Sequence, residues 1–166
     1  GKLAIVTGGA GGMGRSHALR LAKLGANVAI LDIDLNVAAR YGETLSAATV
    51  RDEILELGRD CIAIEADLSD RAAAFDAVKK IEQHFGRIDI LVNNAGGAIT
   101  PIENSSASSS SEEDRRKLFS VNFETAVNMC QACAPALRKQ GGAIVNTSTV
   151  GVSADDAGAR FAMYSA

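Results

Sequence analysis

Cysteine, basic charge and long apolar runs are all scarce in this sequence. Three cysteines among 166 residues are a low and odd number, which argues against a disulfide framework and favours a reducing, cytoplasmic setting. Seventeen basic residues against twenty acidic ones leave a net charge of −3, so no basic surplus exists to bind nucleic acid or an anionic membrane. No apolar run approaches the roughly 20 residues of a membrane span, and the first residues show no secretory signal pattern. We therefore expect a cytoplasmic protein with neither nucleic acid nor membrane as a partner.

Short apolar runs alternate along the chain with segments of helical periodicity. The apolar runs predict β-strands over 3–6, 28–31, 61–64 and 88–92 and a fifth strand from 143. Helical spacing predicts helices over 15–24, 50–57, 75–85 and 113–139. This alternation predicts one α/β domain over 1–166, a doubly wound parallel sheet with strand order 3-2-1-4-5.

Two stretches between these elements are predicted to be loops. The first covers 36–49, between the second strand and its helix, and the second covers 97–111 and is rich in serine. The serine tract is interpreted as a surface loop, with a flap near a substrate mouth as the alternative.

Glycine is concentrated between the first strand and the first helix, in Thr7-Gly8-Gly9-Ala10-Gly11-Gly12-Met13-Gly14. A dinucleotide pyrophosphate binds to backbone N–H groups at a helix N-terminus, and side chains there would hold the phosphates away. A lone glycine-rich turn is weak evidence. Its position between a strand and a helix, with an acid downstream, makes it a dinucleotide-binding signal.

The downstream acid is Asp32, eighteen residues after Gly14 at the end of the second predicted strand. A carboxylate at this place accepts hydrogen bonds from adenosine ribose hydroxyls and repels a 2′-phosphate, which favours NAD over NADP. Asp34 is a nearby competitor for this role.

Several motifs follow one another along the chain in a fixed order: Thr7-Gly8-x-x-x-Gly12-x-Gly14, Asp67, Asn93-Asn94-Ala95-Gly96, Val121-Asn122, Ile144-Val145-Asn146 and Tyr164-Ser165-Ala166. In this set the chain resembles the classical short-chain dehydrogenases/reductases over its whole length. The resemblance implies a Rossmann fold, a small-molecule alcohol or carbonyl substrate and a homotetramer or homodimer.

The resemblance also implies roles for individual residues. Those expected to bind the cofactor are Gly8, Gly12, Met13, Gly14, Asp32, Ile33, Ala66, Asp67, Leu68, Asn94, Ala95 and Gly96. Tyr164 is the expected general acid/base, and Asn122 is expected to help hold a water in a proton relay. The implied reaction is hydride transfer between NAD(H) and a secondary alcohol or ketone.

Two departures from the family pattern affect the catalytic site. The family's catalytic serine aligns with Thr149, and Ser148 lies just before it, so either hydroxyl is a candidate for the substrate oxygen. The lysine of the family's Tyr-x-x-x-Lys motif falls beyond Ala166. We therefore expect the sequence to belong to a longer protein, because the strands and helices that complete the domain are missing, and expect this chain alone to be inactive. A nucleotide-binding module without turnover and a degenerate family member with an unusual substrate are the alternatives.

Other candidate sites are weaker. Cys130 and Cys133 have redox-like spacing but lie inside a predicted helix, so they are interpreted as structural. His17 and His84 are isolated along the chain, and no metal site is predicted.

Overall fold

The computed structural model describes residues 1–149 and Tyr164, and it contains one parallel sheet of five strands with helices between them. The strands are β1 (Leu3–Thr7), β2 (Asn27–Asp32), β3 (Cys61–Glu65), β4 (Ile90–Asn93) and β5 (Ala143–Asn146). The helices are α1 (Gly12–Lys23), α2 (Val37–Arg40), α3 (Val50–Glu56), α4 (Arg71–Phe85), α5 (Glu112–Phe119) and α6 (Thr125–Gln140). The strand order β3-β2-β1-β4-β5 confirms the predicted doubly wound sheet.

The sheet has an apolar layer on each face, and alternate residues of the central strands supply the two layers. On one face, Ile5 and Leu31 pack with residues of α4 and α6, including Ile81 and Met129. On the other face, Val6 and Ile30 pack with residues of α1 and α3, which include Ala18 and Ile54. Helices on both faces leave the carboxyl ends of the strands as one open edge, where Rossmann-type sheets bind ligands.

Local caps fix where three helices begin or end: a side chain at the start of two of them and a glycine at the end of the third. The hydroxyl of Thr49 accepts a hydrogen bond from the Asp52 N–H at the start of α3. The hydroxyl of Ser111 does the same for the Asp114 N–H at the start of α5. Gly86 ends α4 in the left-handed region with a φ of 71°.

Three details differ from the sequence prediction. The predicted loop over 36–49 contains the one-turn helix α2. The predicted helix over 113–139 is present, but a π-helical stretch at Ser120–Glu124 separates α5 from α6. The predicted helix over 75–85 is longer, because α4 begins at Arg71. Within the described residues, we find no helix with the length and apolar character of a membrane span.

Candidate functional site

Gly8 and Gly14, in the turn from β1 into α1 (residues 7–14, the glycine turn), are packed too tightly to accept a side chain. The Gly8 N–H donates to the Leu31 carbonyl oxygen at 2.7 Å, and Gly8 has a φ of +63°. A Cβ on Gly14 would lie 1.8 Å from the Gly8 carbonyl oxygen. Glycine at these positions therefore lets the first turn of α1 lie directly against the end of β1.

The exposed end of α1 carries backbone donors for an anion. The N–H groups of Gly12, Met13 and Gly14 precede the first intrahelical bond, which the Arg15 N–H makes to the Gly11 carbonyl at 3.0 Å. A Cβ on Gly12 would meet no atom within 4 Å, and Met13 is 65% exposed. A phosphate can therefore approach these amides, and the helix dipole favours negative charge there.

Asp32 connects the end of β2 with the glycine turn. Its carboxylate accepts hydrogen bonds from the N–H groups of Ala10, at 3.0 Å, and Asp34, at 3.3 Å. Burial raises the pKa of the Asp32 carboxyl, while these backbone donors counteract the rise. The carboxylate therefore lies directly beside the glycine turn.

Ala66 and Ile33 lie beside Asp32, whereas the Asp34 side chain is bound to other residues. The Ala66 N–H donates to the Asp32 carbonyl at 2.8 Å, and Ile33 is exposed. Asp34 forms an ion pair with Arg40 and caps the Asn36 N–H, so its carboxylate belongs to the start of α2. Asp32, and not Asp34, contacts the glycine turn.

The segment that follows β4 is bonded to the same turn through Thr7. The Thr7 hydroxyl accepts hydrogen bonds from the N–H groups of Asn94, at 2.9 Å, and Ala95, at 3.0 Å. The Asn94 amide nitrogen donates to the carbonyls of Thr7 and Gly8. The Asn94 Oδ1 is buried and has no hydrogen-bond partner among the described residues, so it is an available acceptor beside the glycine turn. Sequence reasoning gave Thr7 no function, although its place at the end of β1 was the available signal.

Asn122, in the π-helical stretch, binds the residues that come next in the segment after β4. Its Oδ1 accepts from the Gly97 N–H at 2.8 Å, and its Nδ2 donates to the carbonyls of Gly97, at 3.1 Å, and Leu118, at 3.0 Å. A Cβ on Gly96 would lie 2.5 Å from the Asn122 Oδ1. The Asn122 side chain thus binds backbone, and its part in a proton relay stays a prediction.

The residues expected to contact adenine follow β3. Asp67 is exposed and accepts hydrogen bonds from the Ser69 N–H and hydroxyl. Leu68 is buried, and the Asn128 amide donates to its carbonyl at 3.1 Å. Asn128 holds this turn from α6, and no local sequence signal indicated its contact because 60 residues separate the two positions.

The candidate catalytic hydroxyls follow β5, which pairs with β4 in parallel. The Thr147 N–H donates to the Asn93 carbonyl at 2.9 Å, which brings Ser148 and Thr149 to the carboxyl edge of the sheet. Ser148 is exposed and Thr149 is half-buried. Tyr164 is helical and half-buried, and residues 150–163 between it and Thr149 lie outside the described part of the chain.

Cys133, the second cysteine of the Cys130–Cys133 pair, is unsuited to thiolate chemistry. Cys133 is fully buried in α6, and this burial raises the pKa of its thiol to about 12. Among residues 1–149 and 164, no group of three histidine, cysteine, aspartate or glutamate residues could hold a metal ion.

Comparisons with known proteins agree with this geometry. The chain is 38% identical over 143 residues to cyclohexanol dehydrogenase of Rhodococcus sp. (strain TK6), covering 84% of this chain and 53% of that protein. It is 37% identical over 150 residues to a 3-oxoacyl-[acyl-carrier-protein] reductase of Staphylococcus aureus, covering 90% of this chain and 56% of that protein. The chain thus spans about half the length of these curated relatives.

A solved structure gives the same result for the fold. Carveol dehydrogenase from Mycobacterium avium, in complex with NAD, superposes with a TM-score of 0.81 at 28% identity, covering 99% of this chain and 61% of that one. The family model described as short chain dehydrogenase matches residues 2–166. The glycine turn, Asp32 and the segment that follows β4 meet at the carboxyl edge of the sheet. Together with this geometry, the match shows that the chain belongs to the short-chain dehydrogenase family.

Proposed function

We propose that the protein is an NAD(H)-dependent oxidoreductase that interconverts a secondary alcohol and a ketone. The observation that carries the proposal is the hydrogen bond from the Ala10 N–H to the Asp32 carboxylate, which holds Asp32 beside the glycine turn so that the two can border one cofactor crevice. The names of the relatives support the reaction class: one is a cyclohexanol dehydrogenase, and the carveol dehydrogenase structure contains NAD.

The described residues fit a dinucleotide. At two glycines a Cβ would collide with the protein's own backbone: at Gly14 it would meet the Gly8 carbonyl, and at Gly8 it would lie 3.0 Å from the Ala95 Cα. Glycine at both positions therefore keeps the start of α1 against the end of β1, where its first N–H groups can meet a phosphate. The N–H groups at the start of α1 suit the pyrophosphate, which accepts hydrogen bonds, and the Asn94 Oδ1, without a hydrogen-bond partner among the described residues, lies beside the same turn. Gly8, Gly12, Met13 and Gly14 would bind the phosphates in this arrangement.

The selection of NAD over NADP would follow from Asp32. Its carboxylate accepts hydrogen bonds, so it suits the free 2′-hydroxyl of the NAD ribose, and its negative charge opposes a 2′-phosphate. Gly11, in the glycine turn, has no side chain and so supplies no positive charge to offset the negative charge of Asp32. Ile33 and the β3 segment, Ala66, Asp67 and Leu68, would border the adenine.

A second group of residues, Tyr164, Thr149 and Ser148, would handle the substrate oxygen. Bound nicotinamide supplies the hydride acceptor or donor, and the protein orients the substrate against it. In the oxidation direction Tyr164 would take the hydroxyl proton, and the hydroxyl of Thr149 or Ser148 would donate a hydrogen bond to the developing oxyanion. Asn122 would keep the loop after β4 in place beside them, through its bonds to Gly97.

Calorimetric titration of the full-length protein with NAD and with NADP tests this proposal. We expect NAD to bind at least tenfold more tightly, because Asp32 favours the free ribose hydroxyl. Comparable affinities for the two dinucleotides would contradict the assigned role of Asp32. NAD binding without turnover of any secondary alcohol or ketone would instead favour a nucleotide-binding module. The homotetramer or homodimer implied by the family resemblance stays a prediction for the same preparation, measured by its mass in solution.

A further inference from the structure

The first backbone donor of α1 is already bound to a carboxylate of the protein itself. The Gly12 N–H donates to the Glu43 Oε1 at 2.6 Å, across 31 positions of sequence. The same oxygen lies 3.0 Å from the place that a Gly11 Cβ would take. Helix α1 has no acidic residue in its own first turn and no side-chain cap from Gly11, so Glu43 supplies the anion at this helix end.

Arg15 connects Glu43 to a more firmly held carboxylate. The Arg15 guanidinium donates to both oxygens of Glu53, at 2.8 and 2.7 Å, and makes one longer contact of 3.3 Å to Glu43. The Glu53 side chain is 3% exposed and also accepts hydrogen bonds from the Ser46 N–H and hydroxyl. The Glu43 side chain is 24% exposed. Arg15 therefore keeps a partner in Glu53 when Glu43 moves away.

A phosphate and the Glu43 carboxylate require the same helix end. Both are anions that accept charge-assisted hydrogen bonds from first-turn N–H groups, and Glu43 holds one of the three such groups on Gly12, Met13 and Gly14. Two anions that share one helix end also repel each other. A phosphate can bind all three donors only after the carboxylate has left Gly12.

We propose that Glu43 is a tethered competitor for the cofactor's pyrophosphate, which must displace this carboxylate from the Gly12 N–H in order to bind. The inference rests on the proposed function, because it takes the start of α1 as the pyrophosphate site. It makes the segment between α2 and α3 part of the cofactor site, although that segment lies outside the glycine motif. The competition lowers the affinity of every ligand that places a phosphate at the start of α1, and it does not change the affinity of ligands without phosphate.

The test compares three ligands on the full-length protein and on the variant Glu43→Gln. Glutamine keeps the shape of the side chain and can still accept the Gly12 N–H bond, but it removes the charge. Calorimetry would give the affinities for NAD, ADP and adenosine, with Glu56→Gln, an exposed position at the end of α3, as the matched control. We expect NAD and ADP to bind to Glu43→Gln about fivefold more tightly, because a charge-assisted bond is about twice as strong as a neutral one. Adenosine should bind equally to all three proteins.

Each other outcome overturns the inference in a distinct way. Unchanged or weaker binding of NAD and ADP by Glu43→Gln, with normal binding by the unaltered protein, would make Glu43 a structural cap and leave the proposed function intact. An equal gain for adenosine would show that the substitution opens the crevice and does not relieve competition with phosphate. Failure of both proteins to bind NAD would end the proposed function as well. If Glu43→Gln does not fold, Glu43→Asp shortens the reach to Gly12 at constant charge, and the same gain for NAD and ADP is expected.

Discussion

The packing of Gly14 against Gly8 gives a prediction with a defined structural cause. The substitution Gly14→Ala adds a methyl group whose carbon would lie 1.8 Å from the Gly8 carbonyl oxygen and 2.8 Å from the Asn94 Nδ2. Ordinary van der Waals contact begins at about 3.4 Å, so both separations are too short and the first is far too short. The obstacle is backbone, so the start of α1 must move away from the end of β1.

The expected loss of stability is the balance of two opposite effects. Alanine is favoured over glycine inside a helix by about 1 kcal/mol, and this term alone would stabilise the variant. Overpacking of a rigid contact costs typically about 1–3 kcal/mol, and a clash with backbone belongs at the upper end. We expect Gly14→Ala to lower the free energy of unfolding by about 2 kcal/mol and to weaken NAD binding more than tenfold, because the phosphate donors move with the helix.

Urea denaturation of the full-length protein measures the first effect, and NAD titration measures the second. The matched control is Ser16→Ala, an exposed position on the same helix, which should change the free energy of unfolding by less than about 0.5 kcal/mol. A Gly14→Ala variant as stable as the unaltered protein, with normal NAD binding, would refute the tight packing between β1 and α1.

Three further predictions concern the carboxylates and the candidate acid/base. Asp32→Ala should reduce the preference for NAD over NADP at least tenfold, by loss of the ribose acceptor and of its charge; titration with both dinucleotides checks this, and an unchanged ratio would contradict it. Tyr164→Phe should abolish turnover and leave the affinity for NAD unchanged. Steady-state assays of the full-length protein check this, and persisting activity would show that Tyr164 is not the general acid/base. The Arg15 hydrogen bonds lower the pKa of the Glu53 carboxyl from 4.5 to about 2, so Glu53 stabilises the fold above about pH 4.5 and this contribution is lost as the pH falls towards 2. Glu53→Gln should therefore lower the free energy of unfolding by about 3 kcal/mol at neutral pH and by progressively less in acid. Urea denaturation across this pH range measures the effect. A difference between the two proteins that does not depend on pH would contradict the ion pair.

The order of the strands could be predicted because parallel α/β alternation permits few topologies. Short apolar runs gave the position of each strand, and Asp32 and the glycine turn follow directly from the ends of β2 and β1. Their meeting at one edge is a consequence of the parallel pairing of β1 with β2.

Contacts between distant segments could not be predicted in this way. Helix α2 has only one turn and no side-chain cap from Asn36, so it is too short to show the apolar periodicity from which a helix is predicted. The bond between Gly12 and Glu43 crosses 31 positions, and the bond between Asn128 and Leu68 crosses 60. No periodicity or motif encodes such pairs, since they exist only after the sheet and its helices have assembled.

The proposed function requires that one crevice, bordered by the glycine turn and Asp32, binds the dinucleotide. Backbone amide chemical shifts of the full-length protein, followed during titration with NAD, show where it binds. We expect the largest changes at Gly8 to Gly14, next to Asp32 and at Asn94 to Gly96. Changes concentrated away from the carboxyl edge of the sheet, with the amides of Gly12 and Asp32 unaffected at saturation, would contradict it.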